Sequence, residues 1–341
     1  MLRRTFSFLA GLAVALAASG AAAQGSELRV LVHNSFSLPK PMLVKFETDN
    51  NVKLSIIKGG DAGEMLNKLI LTRAQPIADV VFGIDNTLVS KALAANVLDP
   101  VAGPLGQPSA TLPLASGVVT VDYGFVALNY DKAWFGKSGL ALPKSLQELT
   151  QPAYRNLVAV QHPATSSTGF AFMLASIAGL GEEAAFDWWG QMRANGVKVT
   201  KGWSEAYYTE FSRNGGTRPI VVSYASSPAA EVFYSKEKIT ESPTASLFLK
   251  GGVFRQVEGV ALIKGGQQRE AALRFITFLR SGAAQEALQT SMWMAPAESS
   301  ISRPEVMRHA PEPAAFDAMA NDAIASKGAD WVLRWTQTVL K

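Results

Sequence analysis

Val118-Val-Thr-Val-Asp-Tyr-Gly-Phe-Val-Ala-Leu-Asn-Tyr-Asp131 is the stretch on which the fold turns. Its alternation of β-branched and aromatic residues reads as strand, but it is too long for an ordinary one and Gly124 interrupts it. A strand of this kind crosses from one lobe into another, with Asp122 and Tyr123 near the crossing. Val253-Phe-Arg-Gln-Val-Glu-Gly-Val-Ala-Leu-Ile263 can serve as the return crossing.

Strand and helix signals alternate on both sides of this stretch. Before it, strands are expected at Glu27–His33, Val52–Ile57 and Ala78–Gly83, with helices at Pro39–Asp49, after Gly59–Glu64 and at Thr87–Ala95. After it come a Ser-capped helix start at Ala141–Leu149, strands at Asn156–Val160, Val197–Thr200 and Pro219–Ser223, and helices at Phe170–Ala178 and Glu182–Arg193. Such alternation indicates an α/β fold with largely parallel sheets. Ala314–Leu340 reads as mostly helical, with Trp331 and Trp335 four apart as a packing pair.

The N-terminus places the chain outside the cytoplasm. Arg3 and Arg4 precede the apolar run Phe6–Ala18, and Ala21-Ala22-Ala23 supplies a small-residue cleavage site. That is the pattern of a secretory signal peptide cut after Ala23. Its removal lowers the formal charge from +4 to +2, and no basic tract marks a nucleic-acid partner. Cysteine is absent, which excludes disulfides, thiolate metal sites and a cysteine nucleophile.

Enzyme signatures fail. There is no P-loop, G-x-S-x-G elbow or H-E-x-x-H. Gly179-Leu-Gly-Glu-Glu-Ala184 matches a dinucleotide fingerprint only in letters; it follows a helix, as a cap and turn would. His33, His162 and His309 are far apart, although His162 precedes the Thr165–Gly169 loop and could line a cleft.

Ligand chemistry gathers at strand-to-helix turns. Gly59–Glu64 and Thr165–Gly169 open helices with free backbone N–H groups, suited either to ordinary capping or to a phosphate or carboxylate. Asp61 and Glu64 have capping-box spacing. Tyr224–Ser227 is a third such turn. Lys201-Gly-Trp-Ser-Glu-Ala-Tyr-Tyr208 places a carboxylate among aromatic rings, which suits a flat cation. Trp203 and Tyr207, four apart, equally fit one buried helical stripe.

Several of these motifs resemble those of the periplasmic thiamine-binding proteins of ABC importers. They are Lys201-Gly-Trp-Ser-Glu-Ala-Tyr207, Ser223-Tyr-Ala-Ser-Ser-Pro228, Val121-Asp-Tyr-Gly124, Ala78-Asp-Val-Val-Phe-Gly-Ile-Asp-Asn86 and Trp293-Met-Ala-Pro296, in order over nearly the whole mature chain. The resemblance implies a two-lobe, type II periplasmic binding protein fold that closes on thiamine or its mono- and diphosphates. It implies a non-catalytic monomer, without cofactor, metal or nucleic acid, that delivers its ligand to a membrane ABC permease with a separate ATPase. Lobe 1 would comprise 24–122 plus 257–299, and lobe 2 would comprise 123–256 plus 300–341.

The same resemblance assigns binding positions. Asp61 and Ala62 match the first binding turn, Ser166 and Ser167 the second, and Trp203 an aromatic contact. Tyr224, Ala225, Ser226 and Ser227 match a contiguous binding segment, and Trp293 a further aromatic. Asp122 or Glu205 could neutralise the thiazolium. Two positions depart: Ala62 stands where a glycine is familiar, and His33-Asn34 where a Tyr-Asp pair is. The rival readings are a same-fold receptor for ferric iron, prompted by Tyr207-Tyr208, and an exported thiamine-processing enzyme with a serine or carboxylate nucleophile.

Overall fold

The computed structural model describes residues 26–341; the signal-peptide reading at Arg3–Ala23 lies outside the described residues. Eleven strands follow in chain order: β1 (Ser26–Val32), β2 (Val52–Lys58), β3 (Val80–Asp85), β4 (Leu98–Asp99), β5 (Val119–Asp131), β6 (Val158–Gln161), β7 (Lys198–Thr200), β8 (Ile220–Tyr224), β9 (Thr244–Leu247), β10 (Phe254–Ile263) and β11 (Ala295–Pro296). The principal order is β2-β1-β3-β10-β5-β8-β6-β7, with β4 on β10 and both β9 and β11 on β5. Each end of this path is a parallel trio, β2-β1-β3 and β8-β6-β7. Helical connections such as Lys40–Asn50 and Ala62–Leu71 allow successive strands to run the same way. Between the trios, β10 and β5 run antiparallel to their neighbours and to each other.

The long strand does what its length demands. Val119 to Val126 pair with β10, and from Val126 to Tyr130 the strand pairs with β8 instead. It therefore leaves one lobe and joins the other, and β10 is the return crossing. Gly124 sits at the transition because no side chain fits there. A Cβ would lie 2.9 Å from Met294 Sδ and 3.3 Å from Tyr224 Cδ1.

The side-chain alternation of the first lobe splits its core between two faces. Leu28, Val30, Val80 and Phe82 pack on Phe46 and Phe275 of the outer helices, while Leu31 and Val81 belong with Met65 and Leu66 on the other side. In the second lobe the helices Ser167–Leu180 and Glu182–Ala194 bring Phe172, Trp188 and Trp189 together. Trp188 and Trp189 are both core, each with its indole N–H satisfied, by Leu146 O at 2.7 Å and Ser176 Oγ at 3.0 Å.

Three local expectations need correction. The Ala141–Leu149 helix is only a 3-10 turn at Gln147–Thr150; Ser145 does cap Glu148, but Pro152 follows too soon for the helix to extend. The last helix begins at Asn321 rather than near Ala314. Trp335 packs on Trp189 and His162, which ties the C-terminal helix to the second lobe and makes His162 a packing residue.

The register of the crossing strands has one costly consequence. Glu258 of β10 is directly opposite Asp85 of β3 and Asp122 of β5, so three carboxyl groups form a row across adjacent strands. All three are buried. Like charges opposite one another destabilise a sheet. Asp85 escapes by accepting from Thr87 N and Leu88 N, yet burial still pushes it up to about 6. Asp122 has no hydrogen-bond partner of that kind, and burial followed by the Glu258 charge pushes it well above the carboxylate range.

A carboxyl raised in the folded chain stabilises most below its ordinary pKa and loses that contribution as pH rises through the raised value. Asp122→Asn, which mimics the protonated form, should therefore stabilise the protein more at about pH 8 than at about pH 4. The expected difference between the two conditions is on the order of 1 kcal/mol or more. Urea midpoints of both proteins at the two pH values check this; an equal effect at both would refute it.

Candidate ligand-binding site

A cavity of about 710 Å³ opens where the two crossing strands meet the strand-to-helix turns. Asp61, Ala62, Ser167, Trp203, Tyr224, Ser226, Ser227 and Trp293 line it, together with His33, Thr168, Tyr207, Glu231, Glu258 and Met294. Ser166 and Ala225 do not. Ser166 is fully buried behind the helix start, where its hydroxyl caps Gly169 N, and Ala225 packs into the small cluster of Phe125, Ala127 and Val253.

Asp61 heads the helix Ala62–Leu71, but the expected capping box is not the contact it makes. One carboxylate oxygen accepts from its neighbour Ala62 N at 2.7 Å, and the other accepts from Trp203 N of the second lobe at 2.8 Å. Glu64 likewise turns away from Asp61 and accepts from Lys201 Nζ at 2.7 Å. Gly63 presses on Thr165 so closely that a Cβ there would lie 2.8 Å from its carbonyl carbon. The two lobes are therefore in contact along this rim.

The second turn is also engaged. Ser167 Oγ accepts from Gln256 Nε2 at 2.9 Å, and Thr168 Oγ1 lies 3.3 Å from Tyr224 OH. Tyr224 OH in turn donates to Gln256 Oε1 at 2.8 Å. These bonds fix the Tyr224 ring at the cavity wall by joining the crossing strand β10 to the second lobe. Ser226 Oγ has no partner among the described residues.

Trp203 is packed and also lines the cavity. Its ring stacks on Tyr207 at 5.1 Å and 17°, as residues four apart on a helix can, while the indole N–H donates to Ser223 Oγ at 2.8 Å. The ring is locked in place and still reaches the cavity. Trp293 faces the cavity from a loop, edge-on to Phe233 and Tyr234. Its φ of 63° is left-handed, unusual for a bulky residue. It follows the helix Gly282–Ser291 and donates N–H to Leu288 O at 3.1 Å, a position that usually takes glycine.

Of the two carboxylates expected to neutralise a cation, neither lines the cavity, whereas Glu258 does, along with Asp61 and Glu231. Glu205 is exposed and accepts from Lys201 N at 2.9 Å, outside the lining. Asp122 is wholly buried beneath the surface. Glu258, opposite Asp122 in the register, is the crossing-strand carboxylate that lines the cavity. His33 Nε2 approaches it at 3.7 Å, an ion-pair distance. Glu258 became important only through strand register, which residue spacing does not reveal.

The rival chemistries find little support in the side chains. Tyr207 OH donates to Glu231 Oε1 at 2.9 Å, and burial followed by that charge pushes the phenol well up, against phenolate formation. Among the described residues no group of three or more His, Asp or Glu is arranged to hold a metal ion. Ser223 and Ser227 bond to each other at 2.8 Å, His33 Nε2 has no hydroxyl partner, and His162 Nδ1 accepts from Ala164 N. Neither of these histidines is placed to activate a serine.

Known proteins share this architecture. Residues 75–327 match the model of the bacterial extracellular solute-binding proteins. The thiamine-binding periplasmic protein of Salmonella typhimurium is 31% identical over 323 residues, covering 92% of this chain and 93% of that protein. A solved periplasmic thiamin binding protein superposes with a TM-score of 0.80 at 29% identity, covering 92% of this chain and 96% of that one. A ferric binding protein from Campylobacter jejuni has a TM-score of 0.74 at 17% identity, a likeness of fold over 91% of this chain and 99% of that one. With a family match across most of its length, this chain belongs to the bacterial extracellular solute-binding proteins.

Proposed function

We propose that this chain is a periplasmic, non-catalytic receptor that captures thiamine, or its mono- or diphosphate, and delivers it to a membrane ABC permease served by a separate ATPase. The observation that carries the reading is the cavity itself. Trp203, Tyr224 and Trp293 offer ring faces around it, and the Glu258 carboxylate offers a negative charge. An aminopyrimidine joined to a cationic thiazolium needs that combination, because aromatic faces attract both flat rings and positive charge. The near-full-length likeness to thiamine-binding periplasmic proteins supports the same ligand.

In this reading the leader is cut after Ala23, and lobe 1 comprises 24–122 plus 257–299. Lobe 2 comprises 123–256 plus 300–341. The ligand bridges the lobes and stabilises their closed arrangement by binding it better than the open one. Ser167, whose Oγ accepts from Gln256 and keeps its own proton to donate, holds the hydroxyethyl arm or its phosphate at one helix start, and Asp61 and Ala62 line the cavity at the other. Ser226 and Ser227 supply hydroxyls to the ring substituents. Ser166 and Ala225 act indirectly, by shaping the turns that carry their neighbours.

Isothermal titration with thiamine, thiamine phosphate and thiamine diphosphate tests the ligand class. Binding of at least one form is expected, and an affinity no tighter than about millimolar (roughly 4 kcal/mol) for all three would refute it. Trp203→Ala should weaken binding by about 1–3 kcal/mol, with Trp203→Phe milder because a phenyl ring still stacks. Native affinity in the alanine protein would return this ring to a packing role.

Trp293 allows its backbone cost to be separated from its ring. Trp293→Gly and Trp293→Ala should weaken the ligand alike, but the glycine protein should be more stable by about 1 kcal/mol because its backbone is left-handed. Thermal melts and titrations of the pair measure both quantities. Equal stability of the two would show that the left-handed turn is not strained.

A further inference from the structure

We propose that Glu258 is the residue that recognises the positive charge of the ligand, and that the cation takes the place of a proton in the cluster formed by Glu258, Asp122 and His33. This rests on the thiamine reading and assigns its charge recognition to a position that reading alone does not single out. The acidic row is one observation. A second is His33 at the cavity wall, only 9% exposed, whose Nε2 lies 3.7 Å from Glu258 Oε2 and has no closer hydrogen-bond partner among the described residues.

The backbone aims these groups. β10 and β5 slip register between Glu258 and Gly259, and β10 and β3 slip between Gly259 and Val260. Bulges of this kind turn a side chain away from its regular direction. The residue skipped on β3 is Gly83, whose φ is +99°, and a Cβ there would overlap the His33 ring. Glycine at this bulge therefore makes room for His33 beside Glu258.

Charge balance gives the site its selectivity. Without ligand, the buried carboxyls lower their repulsion by keeping a proton, and a protonated His33 can neutralise Glu258 across 3.7 Å. A cationic ring placed against Glu258 supplies the same charge, so the cluster releases a proton to solvent as the ligand binds. The neighbouring groups support this balance. From β3, Asp85 adds negative charge; from the turn after β2, so does Asp61; from β8, Tyr224 faces the row as a neutral phenol. Lys58 is the cation near His33, but its Nζ is held by Asn34 O at 2.8 Å. The directions agree: the Glu258 charge favours protonated His33 despite burial, and Asp122 is raised well above the usual range.

The test compares thiamine with an analogue in which a neutral thiophene ring replaces the thiazolium. Affinities are measured by isothermal titration in buffers of differing ionisation enthalpy between about pH 6 and 8, the range above the ordinary histidine value. Thiamine affinity should rise with pH by up to about tenfold per pH unit until the released proton is no longer bound, with proton release seen directly. The analogue should bind more weakly and without that slope. Glu258→Gln should weaken thiamine by about 10- to 100-fold and abolish its pH slope, while leaving the analogue within about threefold.

Asp122→Asn provides a second check, since it should keep the preference for thiamine but alter proton release. Native thiamine affinity and slope in Glu258→Gln would overturn the assignment while leaving the receptor reading intact. Equal loss of thiamine and analogue would make Glu258 merely structural and also overturn it. If the native protein bound neither compound, the thiamine reading would fall and take the assignment with it.

Discussion

The antiparallel pairing of β5 with β10 is the constraint on which the rest depends. These strands join one parallel trio to the other, and their register decides which side chains meet at the cleft. Gln256 shows how much follows from one position on β10. Its amide donates to Asp85 of the first lobe and to Ser167 at the head of a second-lobe helix, while its carbonyl accepts from Tyr224 of β8. A fully satisfied buried network of this kind fixes geometry, because every alternative leaves a polar group unpaired in a poor solvent. The wall of the cavity is thus set from beneath, by the crossing itself.

Contact between the lobes has a different energetic character. Asp61 to Trp203 N is a charge-assisted bond, and burial raises the Asp61 carboxyl even as Trp203 and Ala62 hold it in its ionised form. Lys201 with Glu64 is an exposed pair, worth about 0–1 kcal/mol. With Glu64 N–H also donating to Thr165 O at 3.0 Å, such rim contacts would suit a closed geometry whose population a ligand shifts. A rim held much more strongly would close on an empty cavity and slow both capture and delivery.

The crossing architecture was legible because length is a sequence property. Val118–Asp131 is too long for one small sheet, and the partner change at Val126 is the structural reason. Turn chemistry was legible in the same way, and it brought Asp61, Ser167 and Ser226 to one cavity. Register was not. No spacing rule indicates that Glu258 lies opposite both Asp85 and Asp122, since these strands are distant in sequence and two bulges reset their alignment. Glu205 looked the better partner for a cation because it sits among aromatics in the sequence. Its carboxylate instead closes its own loop on Lys201 N. Ser166 differs from its neighbour by position alone: its buried hydroxyl caps Gly169 N beside Asp61 and is not part of the cavity lining, as the Ser167 side chain is.

Three departures from easy folding gather at the cleft. Trp293 takes a backbone conformation suited to glycine, Gly83 occupies a bulge that only an absent side chain allows, and three carboxyls share a row that repulsion disfavours. In the cores, Trp188 and Trp189 are buried with their N–H groups bonded and the apolar faces of β1 and β3 are covered, although the indole N–H groups of buried Trp331 and Trp335 find no partner among the described residues. Conflicts gathered at a cleft are informative because a stable core can hold a few unfavourable arrangements rigidly in place. Each one here leaves something for a ligand to complete. Trp293 lines the cavity, and the carboxyl row avoids repulsion only by keeping a proton or by pairing with His33. A flat cation resolves both at once, which an uncharged ring or a small metal ion would not.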